Sequence, residues 1–197
     1  MNTIEELAYA LDTFYLLISG ALVMWMTAGF AMLEAGLVRA KNTTEILTKN
    51  MGLFAIACLM FLCFGYGLMY GNGNGFIPGF ELLSTLDHIA IQLDEENKPI
   101  TPYSKLAFFF FQLVFVATAM SIVSGAVAER MKLWSFFGFT LALTGFIYPI
   151  QAYWKWGGGW LEVLGFVDFA GAGVVHLCGA AAALSGVLLL GPRHGKY

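Results

Sequence analysis

His176 stands alone in an apolar run, residues 169–191, that carries no other charged side chain. A run of that length can cross a bilayer, where an ionisable group is costly and therefore marks a site unless a neighbour satisfies it. Two readings of the imidazole stay open. It is either bonded to a backbone carbonyl on a neighbouring helix, or it is a polar pore-lining group that exchanges a proton. Gly171, Ala172, Gly173, Gly179 and Ala180 leave room beside it. Asp168 opens the same run, and aspartate is a strong N-cap because its carboxylate accepts from free backbone N–H groups. Below an external vestibule the same charge also favours cations. His176 follows Asp168 by eight residues, which in a helix is about 12 Å deeper and puts it near the bilayer midplane.

Two aromatic sets also have a spacing that can matter. Trp156 directly precedes Gly157, Gly158 and Gly159, a backbone slim enough to pass close to other groups and leave the indole facing a vestibule. An indole face attracts a cation by about 0.5–2 kcal/mol; the alternative role is an anchor in the interfacial aromatic belt. Phe111 and Phe115 are spaced i, i+4, so they stack along one helix face. Nothing else in the chain is arranged for catalysis. His88 and His194 fall in loops, and no Ser–His–Asp set or carboxylate pair is visible, so an enzyme is not expected. Cys58, Cys63 and Cys178 are odd in number and none has metal-ligand spacing, so neither a disulfide framework nor a metal site is expected, and no cofactor.

Composition decides what kind of scaffold holds these side chains. The chain is 59% hydrophobic and 12% charged, against about 45–50% and about 25% for soluble domains. Mean hydropathy is +0.74. Too few charges remain to cover a soluble surface, and a net charge of -3 without a basic run excludes a nucleic-acid partner. Five uncharged runs, residues 14–33, 51–70, 106–128, 133–154 and 169–191, are each long enough to span about 30 Å of hydrocarbon as a helix. They do not alternate as barrel strands do, so the fold class is all-α: a polytopic membrane helix bundle in a lipid bilayer. The acidic flank with Glu5, Glu6 and Asp12 excludes a secretion signal for the first run.

Basic residues set the orientation. Arg39, Lys41, Lys49, Arg130, Lys132, Arg193 and Lys196 lie on one side; Lys98, Lys105 and Lys155 lie on the other. The richer side is cytoplasmic, so the N-terminus is outside, and the Asn42-Thr43-Thr44 sequon has no glycosylation meaning. The external loop 71–105 opens with GNGNGF, read as a turn-rich linker and not a phosphate loop, and its acidic cluster 94–97 reads as solvated surface. Ala117, Ser121 and Gly125, like Gly179 and Ala183, form stripes that let helices approach closely. Pro149 should kink the fourth span.

The motifs now have a place. GLVRAKN (36–42), GAVAERMKLW (125–134), WGGGWL (156–161) and DFAGAGVVH (168–176) together resemble the ammonium transporter (Amt/Mep/Rh) family on its Amt side, along essentially the whole chain. The resemblance implies that Trp156 helps hold a cation at an external recruitment site. It implies that Phe115 is the upper of two phenylalanines closing the pore below, and Phe111 the aromatic one turn before it. Asp168 would shape the site without coordinating the ion, and His176 would be the first of twin pore histidines. Ammonium or methylammonium would be the substrate, recruited at the mouth and deprotonated, with ammonia crossing the pore and the proton following separately. The cell membrane, a homotrimer and a cytoplasmic regulatory protein are implied in the same way. Family members carry a second, inverted set of five helices with the second histidine and second gating phenylalanine. Residues 1–197 are therefore expected to form the N-terminal half of the domain, with half a site, and to conduct nothing alone. An ammonium sensor, the same fold coupled to a cytoplasmic signalling domain, is the alternative.

Overall fold

The computed structural model describes residues 3–80, 94–95 and 99–195. His88, Lys98, Lys196 and much of the 71–105 loop, including residues 96–97 of its acidic cluster, lie outside the described residues. Five helices among the described residues are long and apolar enough to cross a membrane, and they are numbered here as the first to fifth spans: Ile4–Leu37, Ala40–Tyr70, Lys105–Ala126, Leu133–Val163 and Ala172–Leu190.

The first span corrects the expected 14–33. Its helix runs Thr3–Leu37, 35 residues, and at 1.5 Å per residue is about 52 Å long, well beyond the hydrocarbon thickness. The helix continues outward because Glu5 and Glu6 in its first turn suit the positive end of the helix dipole. Hydropathy alone saw only the uncharged centre.

The second span also starts earlier than expected, for a different reason. Lys49 and Asn50, read as loop residues flanking residue 51, are helical and buried. Glu34 of the first span, likewise buried, reaches them. Its Oε2 accepts from Asn50 Nδ2 at 3.2 Å and from Ser124 Oγ at 2.8 Å, and lies 3.4 Å from Lys49 Nζ. Lys49 Nζ donates to the Ser124 carbonyl at 2.9 Å and sits 5.0 Å from the centre of the Phe136 ring. A charge is tolerated there only because it is paired and hydrogen-bonded.

The third span is the centre of the bundle. Val114, Val116, Ala117, Ala119, Met120 and Ser121 are fully buried against the first, second and fifth spans. The small-residue stripes pack as their spacing predicts: a Cβ on Gly179 would lie 2.7 Å from the Ala119 carbonyl oxygen. At the outer end, Ser104 caps the third span and its N–H donates to Thr13 Oγ1 at 2.9 Å, tying the loop to the first span.

Three spans contain a π-turn, at Phe61–Gly65, Leu143–Ile147 and Ala172–Leu177. The second of these stands immediately before Tyr148 and Pro149. Proline lacks the N–H that would bond the Gly145 carbonyl, so the helix takes up the missing bond by widening, and continues to Trp156. Gly65 lets the first two π-turns touch: a Cβ there would meet Phe61 at 2.5 Å and the Thr144 carbonyl at 3.2 Å.

At the end assigned to the cytoplasm, one carboxylate joins three segments. Glu129 Oε1 accepts from the Arg39 backbone N–H (3.0 Å), Arg39 Nε (3.1 Å) and Asn42 Nδ2 (2.7 Å), and Oε2 lies 3.8 Å from Arg193 Nη1. Glu129 has φ of 62°, a left-handed conformation uncommon for a residue with a Cβ. These bonds hold it there. The two motifs at residues 36–42 and 125–134 are thus the two sides of one contact.

Candidate functional site

The GNGNGF turn builds the outer rim of the site. Asn74 Oδ1 accepts from the N–H groups of Phe76 and Ile77, at 3.0 and 2.8 Å. The Gly75 N–H donates to the Tyr153 hydroxyl, and the Gly75 carbonyl accepts from the Trp160 N–H. Trp154 Nε1 reaches the Phe76 carbonyl at 2.8 Å, and the Phe76 and Trp160 rings stack at 5.4 Å. The loop therefore pins the fourth span where its helix breaks at Gly157 and Gly158, before the short turn Trp160–Val163. Gly158, at φ 82°, makes the reversal that a side-chain-bearing residue would resist.

Trp156 ends the fourth-span helix just before this break. Its Nε1 donates to the Asp168 carbonyl at 2.8 Å, and its ring centre lies 5.9 Å from that of Phe115 at 58°. Phe115 meets Phe111 at 4.9 Å and 85°, so the pair is edge-to-face and not the stack expected from i, i+4 spacing. Edge-to-face is the geometry the ring quadrupoles favour. Trp156 and Asp168 line an open vestibule of about 450 Å³ with Lys155, Gly158, Glu162, Val167 and Phe169, and Lys155 is ion-paired to Glu162 at its rim.

Asp168 departs from its expected place. The fifth span starts at Ala172, and its N-cap is Gly171, left-handed at φ 81°. Asp168 lies outside the helix, yet its Oδ2 accepts from the N–H groups of Gly173 and Val174, at 2.9 and 2.7 Å. The glycine turn bends the chain back so that the carboxylate still caps the helix, from one turn further away. Gly171 is required on two grounds. Its φ is positive, and a Cβ there would press on Val175 (2.7 Å) and Trp156 (3.2 Å).

The same turn changes the depth of His176. Only the residues from Ala172 onward are helical, so His176 lies about 6 Å beyond the helix start, not about 12 Å below Asp168. Its side chain is exposed on the face of the fifth span opposite the third span, while Val174, Val175, Gly179 and Ala183 face inward. Among the described residues nothing covers the imidazole, and both readings stay open for the longer relatives' length. Leu177, Ala180, Ala181 and Leu184 continue the exposed face. The structure brings Trp156, Phe115, Phe111 and Asp168 together at the outer end and places His176 below them on one open, mainly apolar face. Sequence reasoning missed Gln151, whose Nε2 donates to the Val174 carbonyl at 2.7 Å. It also missed the pairing of Glu34 with Lys49.

Comparison with known proteins bears on the family and the fold. The sequence profile described as the Ammonium Transporter Family matches residues 14–197. Ammonium transporter Amt2 of Archaeoglobus fulgidus is 42% identical over 200 residues, covering 94% of this chain and 40% of the relative. Ammonium transporter 3 of Dictyostelium discoideum is 41% identical over 195 residues, covering 98% of this chain and 42% of the relative. The crystal structure of Candida albicans Mep2 superposes with a TM-score of 0.77 at 30% identity, over 94% of this chain and 40% of that one. The chain thus spans about two fifths of the length of the relatives it matches.

Proposed function

The chain belongs to the ammonium transporter family, and from that premise we propose that the protein moves ammonium across the cell membrane, through a path whose outer end is the Trp156 vestibule. One observation carries the proposal. The indole that can face a cation is fixed by its N–H on the Asp168 carbonyl, beside Phe115 and Phe111, at the head of the face that exposes His176.

Magnitudes choose the mechanism. Cation–π attraction contributes about 0.5–2 kcal/mol, enough to recruit an ion at a partly wet mouth. Carrying a bare ammonium through an apolar constriction costs on the order of tens of kcal/mol, which aromatic rings cannot offset. The ion is held at the vestibule and releases a proton; neutral ammonia crosses past His176, and the proton follows separately by way of the imidazole, so one positive charge moves with each molecule. The imidazole provides a polar contact that also exchanges protons. Potassium resembles ammonium in size and charge but has no proton to lose, so the same path rejects it. The Asp168 carboxylate acts at a distance: its Oδ2 is committed to two backbone N–H groups, leaving it to shape the turn and bias the local field toward cations. On this proposal, the five spans are one of two inverted halves that face each other across the path.

Uptake of labelled methylammonium tests the proposal, in cells that lack their own ammonium uptake and express the five spans together with the inverted second half. The expected result is saturable uptake that ammonium competes away and potassium does not. Absence of uptake in cells with the protein assembled in the membrane would overturn it.

A further inference from the structure

The π-turn Ala172–Leu177 leaves one backbone group without its usual partner. In an α-helix the Cys178 N–H would bond the Val174 carbonyl; here it goes to the carbonyls of Gly173 and Val175 instead. Gln151 Nε2, on the fourth span, takes up the Val174 carbonyl at 2.7 Å. At the start of the same turn the Gly171 carbonyl accepts both the Val175 and the His176 N–H, at 2.9 and 3.0 Å. The wide turn is therefore held from both ends, by a glycine whose φ is 81° and by a side-chain amide from a neighbouring span.

The extra residue in such a turn rotates the succeeding helix by about 100° relative to an uninterrupted one. His176 lies within the turn, on the exposed face, while Val174 and Val175 face the third span. We infer that Gln151 is the positioning residue for His176: its amide holds the π-turn open and so aims the imidazole along the conducting face. Without that donor the Val174 carbonyl would regain the Cys178 N–H, the turn would tighten, and the imidazole would swing off the face. The Gln151 amide bonds a backbone carbonyl and not the imidazole, so its action is on the direction of the imidazole. This rests on the proposed function for the conducting role of that face and for the transport readout.

The variants Gln151→Met, of similar length without a donor, and Gln151→His, with a ring N–H in its place, test it. Two quantities are read on protein assembled in membranes: the rate at which diethylpyrocarbonate modifies His176, and the maximal rate, half-saturation and pH profile of methylammonium uptake. Gln151→Met is expected to change the modification rate and lower maximal uptake by about tenfold to a hundredfold. The half-saturation concentration should hold, because the vestibule is untouched, and the pH profile should move. Gln151→His should restore both. An assembled Gln151→Met protein with unaltered His176 modification and an unaltered pH profile would overturn the inference. If it fails to assemble, Gln151→Asn, one methylene too short to reach the carbonyl, carries the same expectations, and failure of both to assemble would also overturn it in favour of a folding role. If the unsubstituted protein carries no methylammonium, the transport reading falls, while the modification rates still decide the role of Gln151.

Discussion

Trp156 is fixed at both ends of its indole, by the N–H on the Asp168 carbonyl and by ring contact with Phe115. Trp156→Ala is therefore expected to raise the half-saturation concentration for methylammonium by about two- to thirtyfold, the equivalent of about 0.5–2 kcal/mol. Concentration dependence of labelled uptake measures it, and unchanged affinity would exclude the cation–π role. Asp168→Asn separates the two duties of that residue. An amide oxygen still accepts from Gly173 and Val174 N–H, so the protein should assemble with near-normal thermal stability, while uptake affinity falls with the lost charge. Asp168→Ala should lose about 1 kcal/mol or more of stability, the usual cost of a removed cap. The sequence singled these side chains out because each sits in a local pattern: Trp before three glycines, Phe at i, i+4, Asp at a run's start. Gln151 was not legible. Its partner is a carbonyl 23 residues away, exposed by a π-turn that no residue pattern announces.

Among the elements, the first and second spans show where hydropathy stops being informative. Lys49 looks like a loop cation because charge is the signal that ends an apolar run. It is nonetheless helical and buried, since Glu34, Ser124 and the Phe136 ring receive it. Partners so distant in the chain are brought together by packing, which spacing cannot show. Removing one partner should be costly: Lys49→Met leaves the Glu34 carboxylate buried without its cation, at about 3–5 kcal/mol. Replacing both, Glu34→Leu with Lys49→Met, should recover most of that loss. Melting in detergent of the single and double variants checks it. A double variant less stable than both singles would contradict the pairing. The stripes on the third and fifth spans, by contrast, were read correctly, because close helix packing needs small residues at fixed intervals and leaves that interval in the sequence.

For the whole molecule, the apolar runs were enough to obtain five spans, while the contact that closes the end carrying Arg39, Glu129 and Arg193 was invisible. Glu129 gathers Arg39, Asn42 and Arg193 from two other segments. Its carboxyl is lowered to about 2 from the usual 4.5, chiefly by the Arg39 backbone N–H and against the opposing effect of burial. A depressed carboxyl contributes stability that is complete above the ordinary value and is lost as pH falls through the folded one. Thermal stability should therefore drop between about pH 4.5 and about pH 2, with a smaller drop in Glu129→Gln. A drop of equal size in that variant would place the acid sensitivity elsewhere.

If the path carries a neutral molecule made from a cation at the Trp156 vestibule, ammonium and potassium must part ways there. Current across liposomes containing the five spans together with the inverted second half decides it, under an imposed ammonium gradient and then an equal potassium gradient, with and without His176→Ala. A saturable signal is expected for ammonium and none for potassium, with either loss of flux or a potassium leak once the imidazole is removed. Equal currents for the two ions, or unaltered selective flux in an assembled His176→Ala protein, would show that no such neutral step takes place.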